Sequence, residues 1–140
     1  MARSVEKRHT ILHFGTDPVV LVLRGWNLNS MGYRVLNVSN PSEAVKLATR
    51  RRVDAVVLDL HCNHAAVTLV VKQIKRCRPQ VSAILIAEGT GRLDGLHELA
   101  DSLVPKRDNL GMLLTALEKA LATSNPEFPK AASSTRGNRS

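Results

Sequence analysis

Residues 30–60 read SMGYRVLNVSNPSEAVKLATRRRVDAVVLDL, and three structural elements follow one another inside this stretch. Gly32 ends a preceding helix, because only glycine enters the left-handed region without a Cβ clash. Tyr33 to Val38 reads as a strand. Asn40-Pro41-Ser42-Glu43 starts a helix: an Asn cap, a Pro at the first helical position where its missing N–H is not needed, and a Glu at the third. That helix runs to about Arg51. DAVVLDL, residues 54 to 60, is a continuous apolar run ending in an acid. A strand apolar on both faces suits the middle of a parallel sheet covered on both sides.

The same alternation extends outward. Thr10 to Phe14 reads as a short first strand. Asp17-Pro18 starts the helix that Gly32 ends, with Val20, Leu23, Trp26 or Asn27, and Met31 at helical spacing as its inner face. Ala65 to Arg78 carries Ala66 or Val67, Val70 or Val71, Ile74 and Cys77 on one stripe, and Pro79 stops it. Val81 to Ala87 is the fourth strand, Gly91 to Ala100 a short weak helix, and Ser102 to Val104 a brief fifth strand. Leu110 to Ala122 closes the series with Leu110, Leu113 or Leu114, Leu117 and Leu121 facing inward. Strands alternating with helices imply an α/β fold: a doubly wound, five-stranded parallel sheet with helices on both faces. Five strands in a body this short fit the flavodoxin-like order 2-1-3-4-5. Ligand chemistry in such sheets gathers at the carboxyl ends of the strands. Here those ends are Gly15-Thr16-Asp17, Asp59 to His61, Ala87-Glu88 and Pro105-Lys106.

Composition bounds the rest. Only Phe14, Trp26, Tyr33 and Phe128 are aromatic, so the core must be aliphatic. No apolar run is long enough to span a bilayer, and residues 1–10 carry no apolar signal region, so the expected location is cytoplasmic. Cys62 and Cys77 form no paired motif and read as free thiols. The net charge is +8, of which each terminal segment carries +2 and the body +4. Residues 1–9 are expected to be flexible. Residues 124–140, SNPEFPKAASSTRGNRS, hold too little apolar surface to offset chain entropy and are expected to be disordered. One folded domain is expected over residues 10–123, with no further domain after it.

The four strand ends, in this order, resemble the receiver domain of two-component response regulators, a resemblance that covers about residues 10 to 122. SMGYRVLNVSNPSEAVKLATRRRVDAVVLDL looks like that family's second strand, second helix and third strand. TILHFGTDP looks like its first strand, and Asp59 to Pro79 has the family's usual spacing to the end of the third helix. The resemblance implies phosphorelay signalling: a histidine kinase or phosphotransfer protein as phosphoryl donor, and a downstream protein partner. It maps the partner face to about residues 91–122 and leaves homodimerisation open. It implies no independent enzyme, and no nucleophile and base pair or cofactor loop argues for one.

The chemistry implied is phosphoryl transfer to an aspartate, and Asp59 matches the nucleophile. The family's Mg2+ ion prefers hard oxygen ligands. Here Gly15 and Thr16 stand where two carboxylates are expected, leaving Asp59, Asp17 and Thr16 as candidate ligands and implying a weak Mg2+ site at best. Asp17 is also the obvious helix cap. Ile86 stands where the resemblance expects a hydroxyl, Ser102 where it expects an aromatic, and Asn63 where it expects a proline. Pro105 falls where a phosphate-pairing lysine is expected, with Lys106 one residue later. Continued strand geometry would turn Lys106 to the opposite face, unless a loop or bulge restored it.

Two readings follow. In the first, Asp59 accepts phosphate and Lys106 pairs with it. In the second, the chain is a non-phosphorylated pseudo-receiver, a docking or dimerisation module, and Gly15, Thr16, Ile86 and Pro105 favour it. Other features have plainer explanations. His61, Cys62 and His64 do not form a usual zinc spacing. His13 reads as a hydrogen-bonded structural histidine. Arg50-Arg51-Arg52 suit a helix C-terminus. Lys72, Lys75, Arg76 and Arg78 form a basic helix face without any nucleic-acid-binding module, so a nucleic-acid adaptor is the most distant reading.

Overall fold

The computed structural model describes residues 9–59, 64–87, 96–106 and 110–122. The expected flexible N-terminus, the expected C-terminal tail, and His61, Cys62 and Asn63 lie outside the described residues, apart from His9.

Among the described residues five strands and five helices alternate: β1 (Thr10–Phe14), α1 (Pro18–Ser30), β2 (Arg34–Val38), α2 (Pro41–Arg50), β3 (Ala55–Asp59), α3 (His64–Cys77), β4 (Ser82–Ala87), α4 (Leu96–Leu99), β5 (Ser102–Pro105) and α5 (Gly111–Ala122). All strand pairs are parallel, in the order β2-β1-β3-β4-β5. This is the expected doubly wound sheet. Of the weak helix expected over Gly91 to Ala100, residues 96–99 are described as helical.

The helix boundaries follow local chemistry. Asp17 Oδ1 accepts from the Val19 and Val20 N–H groups at 3.0 and 3.3 Å, capping α1. Asn40 Oδ1 accepts from the Glu43 N–H at 3.0 Å, capping α2. Gly32 has φ 101°, the left-handed conformation expected after α1.

The period of two along each strand divides the core into two layers. Leu12, Phe14, Val56, Leu58, Ala83 and Leu85 face α2 and α3, packing with Ala44, Ala48, Val67, Val70, Val71 and Ile74. Ile11, Ala55, Val57, Ile84, Ile86 and Val104 face the other side with Leu28 of α1 and Leu113, Ala116, Leu117 and Leu121 of α5. Each fully buried aliphatic side chain contributes roughly 1.5–3 kcal/mol. β3 is buried along its whole length, as its unbroken apolar run requires.

The inner face expected for α1 is corrected by the structure. Leu21, Gly25 and Leu28 are the buried positions. Leu23, Trp26 and Met31 are exposed, as are Val19 and Val22. Apolar residues occur all round this helix, so periodicity alone leaves its rotation undetermined. Close approach at Gly25 selects the face. Cys77, expected on the inner stripe of α3, is exposed, with Val67, Val70, Val71 and Ile74 forming that stripe.

Candidate functional site

Strand parity places four polar side chains on the α1/α5 face. His13 follows Ile11 by two residues, Asp59 follows Val57, and Lys106 follows Val104, and all three leaders belong to that layer. Asn37 is the register partner of His13 on β2. Asp59 sits at the carboxyl end of β3, beside Ile86 in register.

Asp59 is buried, with 5% of its side chain exposed, and two cations meet it. Lys106 Nζ donates to Oδ1 and Oδ2, both at 2.9 Å. Arg24 Nη1 donates to Oδ2 at 3.1 Å. Arg24 and Lys106 are themselves mostly buried, at 13% and 17% exposure. A lone carboxylate is costly to desolvate, and paired cations with direct hydrogen bonds offset that cost.

Lys106 reaches Asp59 from the same face of the sheet. Its N–H donates to the Ala87 carbonyl at 2.8 Å, so sheet pairing continues one residue past Pro105. Counted by parity from Val104, residue 106 points to the same side as Asp59. Pro105 occupies the outward position between them.

Behind Asp59 lies a second polar pair. His13 Nδ1 lies 2.9 Å from Asn37 Oδ1, and His13 Nε2 lies 3.4 Å from Arg24 Nη1. An oxygen acceptor at one ring nitrogen and a guanidinium donor at the other fit the neutral imidazole, which donates from Nδ1 and accepts at Nε2. Burial pushes His13 down to a pKa of about 4, and the neighbouring Arg24 charge acts in the same direction; the Asn37 hydrogen bond and Asp59 oppose it. His13 is thus the hydrogen-bonded histidine expected from sequence, with the added task of holding Arg24.

The remaining sequence candidates fare differently. Asp17 Oδ1 is engaged by the two amides of the α1 cap. Thr16 is exposed. Neither Ile86 nor Ala87, the last residues of β4, brings a hydroxyl to this end of the sheet, and β5 holds no aromatic. His64 lies exposed at the start of α3. Arg24 was missed in the sequence. Its signal was that it is the one charged residue in the helix PVVLVLRGWNLNS.

Mg2+ would need several hard oxygen ligands. Gly15 supplies no side chain, Asp17 Oδ1 is engaged by the cap, and the Asp59 oxygens face two cations. Among the described residues no group of three or more His, Cys, Asp or Glu side chains could hold a metal ion. The donor set does not fit Mg2+. It fits an anion, because two positive charges surround one carboxylate.

No family model matches the chain. Among curated proteins, it is 26% identical over 113 residues to the transcriptional regulatory proteins GlrR of Escherichia coli K12 and QseF of Escherichia coli O157:H7. Those alignments cover 79% of this chain and 26% of each relative, so the chain spans about a quarter of the length of the curated relatives it matches. Among solved structures, the response regulator TrrA of Thermotoga maritima, in complex with Mg2+-BeF, is 26% identical with a TM-score of 0.73, covering 81% of this chain and 99% of that one. TrrA in complex with the histidine kinase ThkA matches with a TM-score of 0.72 at 26% identity, covering 81% of this chain and 98% of that one. A CheY-like receiver domain from Methanospirillum hungatei JF-1 matches in fold with a TM-score of 0.74 at 18% identity, covering 83% of this chain and 95% of that one.

Proposed function

This chain has the fold of the receiver domain of two-component response regulators, and from that premise we propose that it is a signalling module whose Asp59 accepts a phosphoryl group. The observation that carries this reading is the Asp59–Lys106 pair, both carboxylate oxygens at 2.9 Å from one ammonium at the carboxyl end of the sheet. A carboxylate there is a nucleophile for phosphorus, and Lys106 is placed to follow the transferred group as a charge partner. The phosphoryl donor is a histidine kinase or phosphotransfer protein, a reading supported by the solved complex of TrrA with ThkA.

Output passes through protein contacts. A shallow groove between β5 and α5, lined by Leu103, Val104, Met112, Thr115 and Lys119, supports this. Leu103 and Met112 are about half exposed there. No described helix is long and apolar enough to cross a membrane.

A second reading is a docking module that is never phosphorylated. Gly15 in place of a carboxylate, Ile86 in place of a hydroxyl, and the enclosure of Asp59 between two cations favour it. The test is incubation of the chain with acetyl phosphate and Mg2+, with and without Asp59→Asn, followed by intact-mass measurement. One added phosphoryl group that depends on Asp59 supports the phosphoacceptor. Its absence, where an ordinary receiver is labelled, leaves the docking module.

A further inference from the structure

We propose that the Arg24 guanidinium takes the place of the divalent cation, so that Asp59 is phosphorylated without metal. This inference rests on the reading of Asp59 as phosphoacceptor and names the charge that would make it work.

Arg24 projects from α1, the helix that follows the Gly15-Thr16-Asp17 strand end, and its Nη1 contacts Asp59 Oδ2 at 3.1 Å. A positive charge therefore already stands beside the nucleophile. A Cβ on Gly15 would lie 3.5 Å from the Asp59 Cβ, so position 15 does face this pocket.

A divalent ion beside Asp59 would meet Arg24 and Lys106, two cations already there, and Gly15 offers no carboxylate to compensate. The repulsion is only weakly screened among groups this buried. The same pair suits a phosphoryl group, whose developing negative oxygens need fixed donors. Guanidinium carries five N–H donors in a planar fork, more than its contacts with Asp59 and His13 use, and its planar geometry matches phosphate oxygens.

His13 Nε2 accepts from the same Arg24 nitrogen, and Asn37 holds the other side of the imidazole. The guanidinium is thus held from behind before any ligand arrives, which lowers the reorganisation needed during transfer.

The step balances without a metal or a proton. An Asp59 Oδ atom attacks phosphorus, the bond from phosphorus to the acyl oxygen of acetyl phosphate breaks, and acetate leaves with the electron pair. Lys106 and Arg24 shift from the carboxylate to the phosphoryl oxygens as that bond forms.

The experiment uses the full chain with acetyl phosphate in two arms, one with Mg2+ and one with excess EDTA, read by intact mass and by peptide mapping to Asp59. Equal labelling in both arms is expected, with Arg24→Gln slowing the EDTA arm by about 100-fold, the scale for losing one preorganised donor. Arg24→Lys keeps the charge and should retain part of the rate, which separates charge from folding. Labelling only with Mg2+ overturns the inference and leaves Asp59 as phosphoacceptor. Labelling in neither arm overturns both. EDTA-arm labelling unchanged in Arg24→Gln overturns the role of Arg24. A titration of the unmodified protein with Mg2+, followed by amide NMR, needs no variant: no saturable shift at Gly15 or Asp59 is expected, and a saturable one refutes the proposal.

Discussion

Gly25 sits directly against Asn37: a Cβ on Gly25 would lie 2.6 Å from Asn37 Oδ1 and 2.8 Å from its Nδ2. The bare backbone of α1 thus presses on the side chain that holds His13, which in turn holds Arg24. Gly25→Ala would gain about 1 kcal/mol of helix propensity. It would also push the Asn37 amide off His13 and leave a buried ring nitrogen unpaired, a cost of about 1–3 kcal/mol. The net expectation is destabilisation by up to about 2 kcal/mol, measured as a lower urea midpoint. In an Asn37→Ala background the clash is gone and Gly25→Ala should become stabilising. The same penalty in both backgrounds would contradict this relationship.

The low pKa of His13 makes stability depend on pH. Its folded value is about 4, against 6.5 for an unperturbed histidine. Between these values the unfolded chain binds a proton that the folded chain excludes. Stability is therefore fully present above about pH 6.5 and falls as pH drops toward 4, by on the order of 3 kcal/mol for this group. Urea melts at pH 7.5 and pH 5 should show this loss in the natural chain and a smaller one in His13→Leu. A parallel loss in both would remove His13 as the cause.

Asp59→Ala leaves Arg24 and Lys106 facing each other without their shared anion. The expected cost is about 2–4 kcal/mol, less than for fully buried ions because both cations keep some solvent access. Sulfate should restore part of this loss in the variant by occupying the space between the cations, and should stabilise the natural chain less. Thermal melts across a sulfate series, with chloride at matched ionic strength, check it.

Rebuilding the missing carboxylates should reverse the metal preference. A Cβ on Gly15 meets Leu21 Cδ1 at 3.3 Å and Asp59 Cβ at 3.5 Å, close enough to need only a small adjustment of Leu21. The triple variant Gly15→Asp, Thr16→Asp, Arg24→Ala is expected to bind Mg2+ saturably, since carboxylate count largely sets affinity for this ion. Isothermal titration against the natural chain measures it, and silence in both would argue that the pocket cannot host the ion.

Asp101 ties α3 to β4 away from the site. Its Oδ2 accepts from the Ala83 N–H at 2.7 Å and from Lys75 Nζ at 2.8 Å, and Lys75 also donates to the Val81 carbonyl. The half-exposed ion pair is worth little alone, whereas the bond to the Ala83 amide is part-buried. Asp101→Asn should therefore cost under about 1 kcal/mol and Asp101→Ala about 1–3 kcal/mol, read from urea midpoints.

Much of this molecule was legible in its residues taken in order. The caps at Asp17 and Asn40, the left-handed Gly32, the unbroken apolar run before Asp59 and the alternation of elements determine the strand sequence, the parallel sheet and the crevice at the strand ends. These signals are local, set by hydrogen bonds and side-chain periods within a few residues. The tertiary structure alone decided what meets Asp59. Arg24 and Lys106 stand 35 and 47 residues from it along the chain. The rotation of α1 that turns Arg24 inward is undetermined by a helix apolar on every side. It was set by the close contact of Gly25 with Asn37, and the facing of Lys106 by sheet pairing that continues past Pro105. Both depend on which surfaces touch after the chain has packed; the lone charge of α1 marks Arg24 but not the partner it meets.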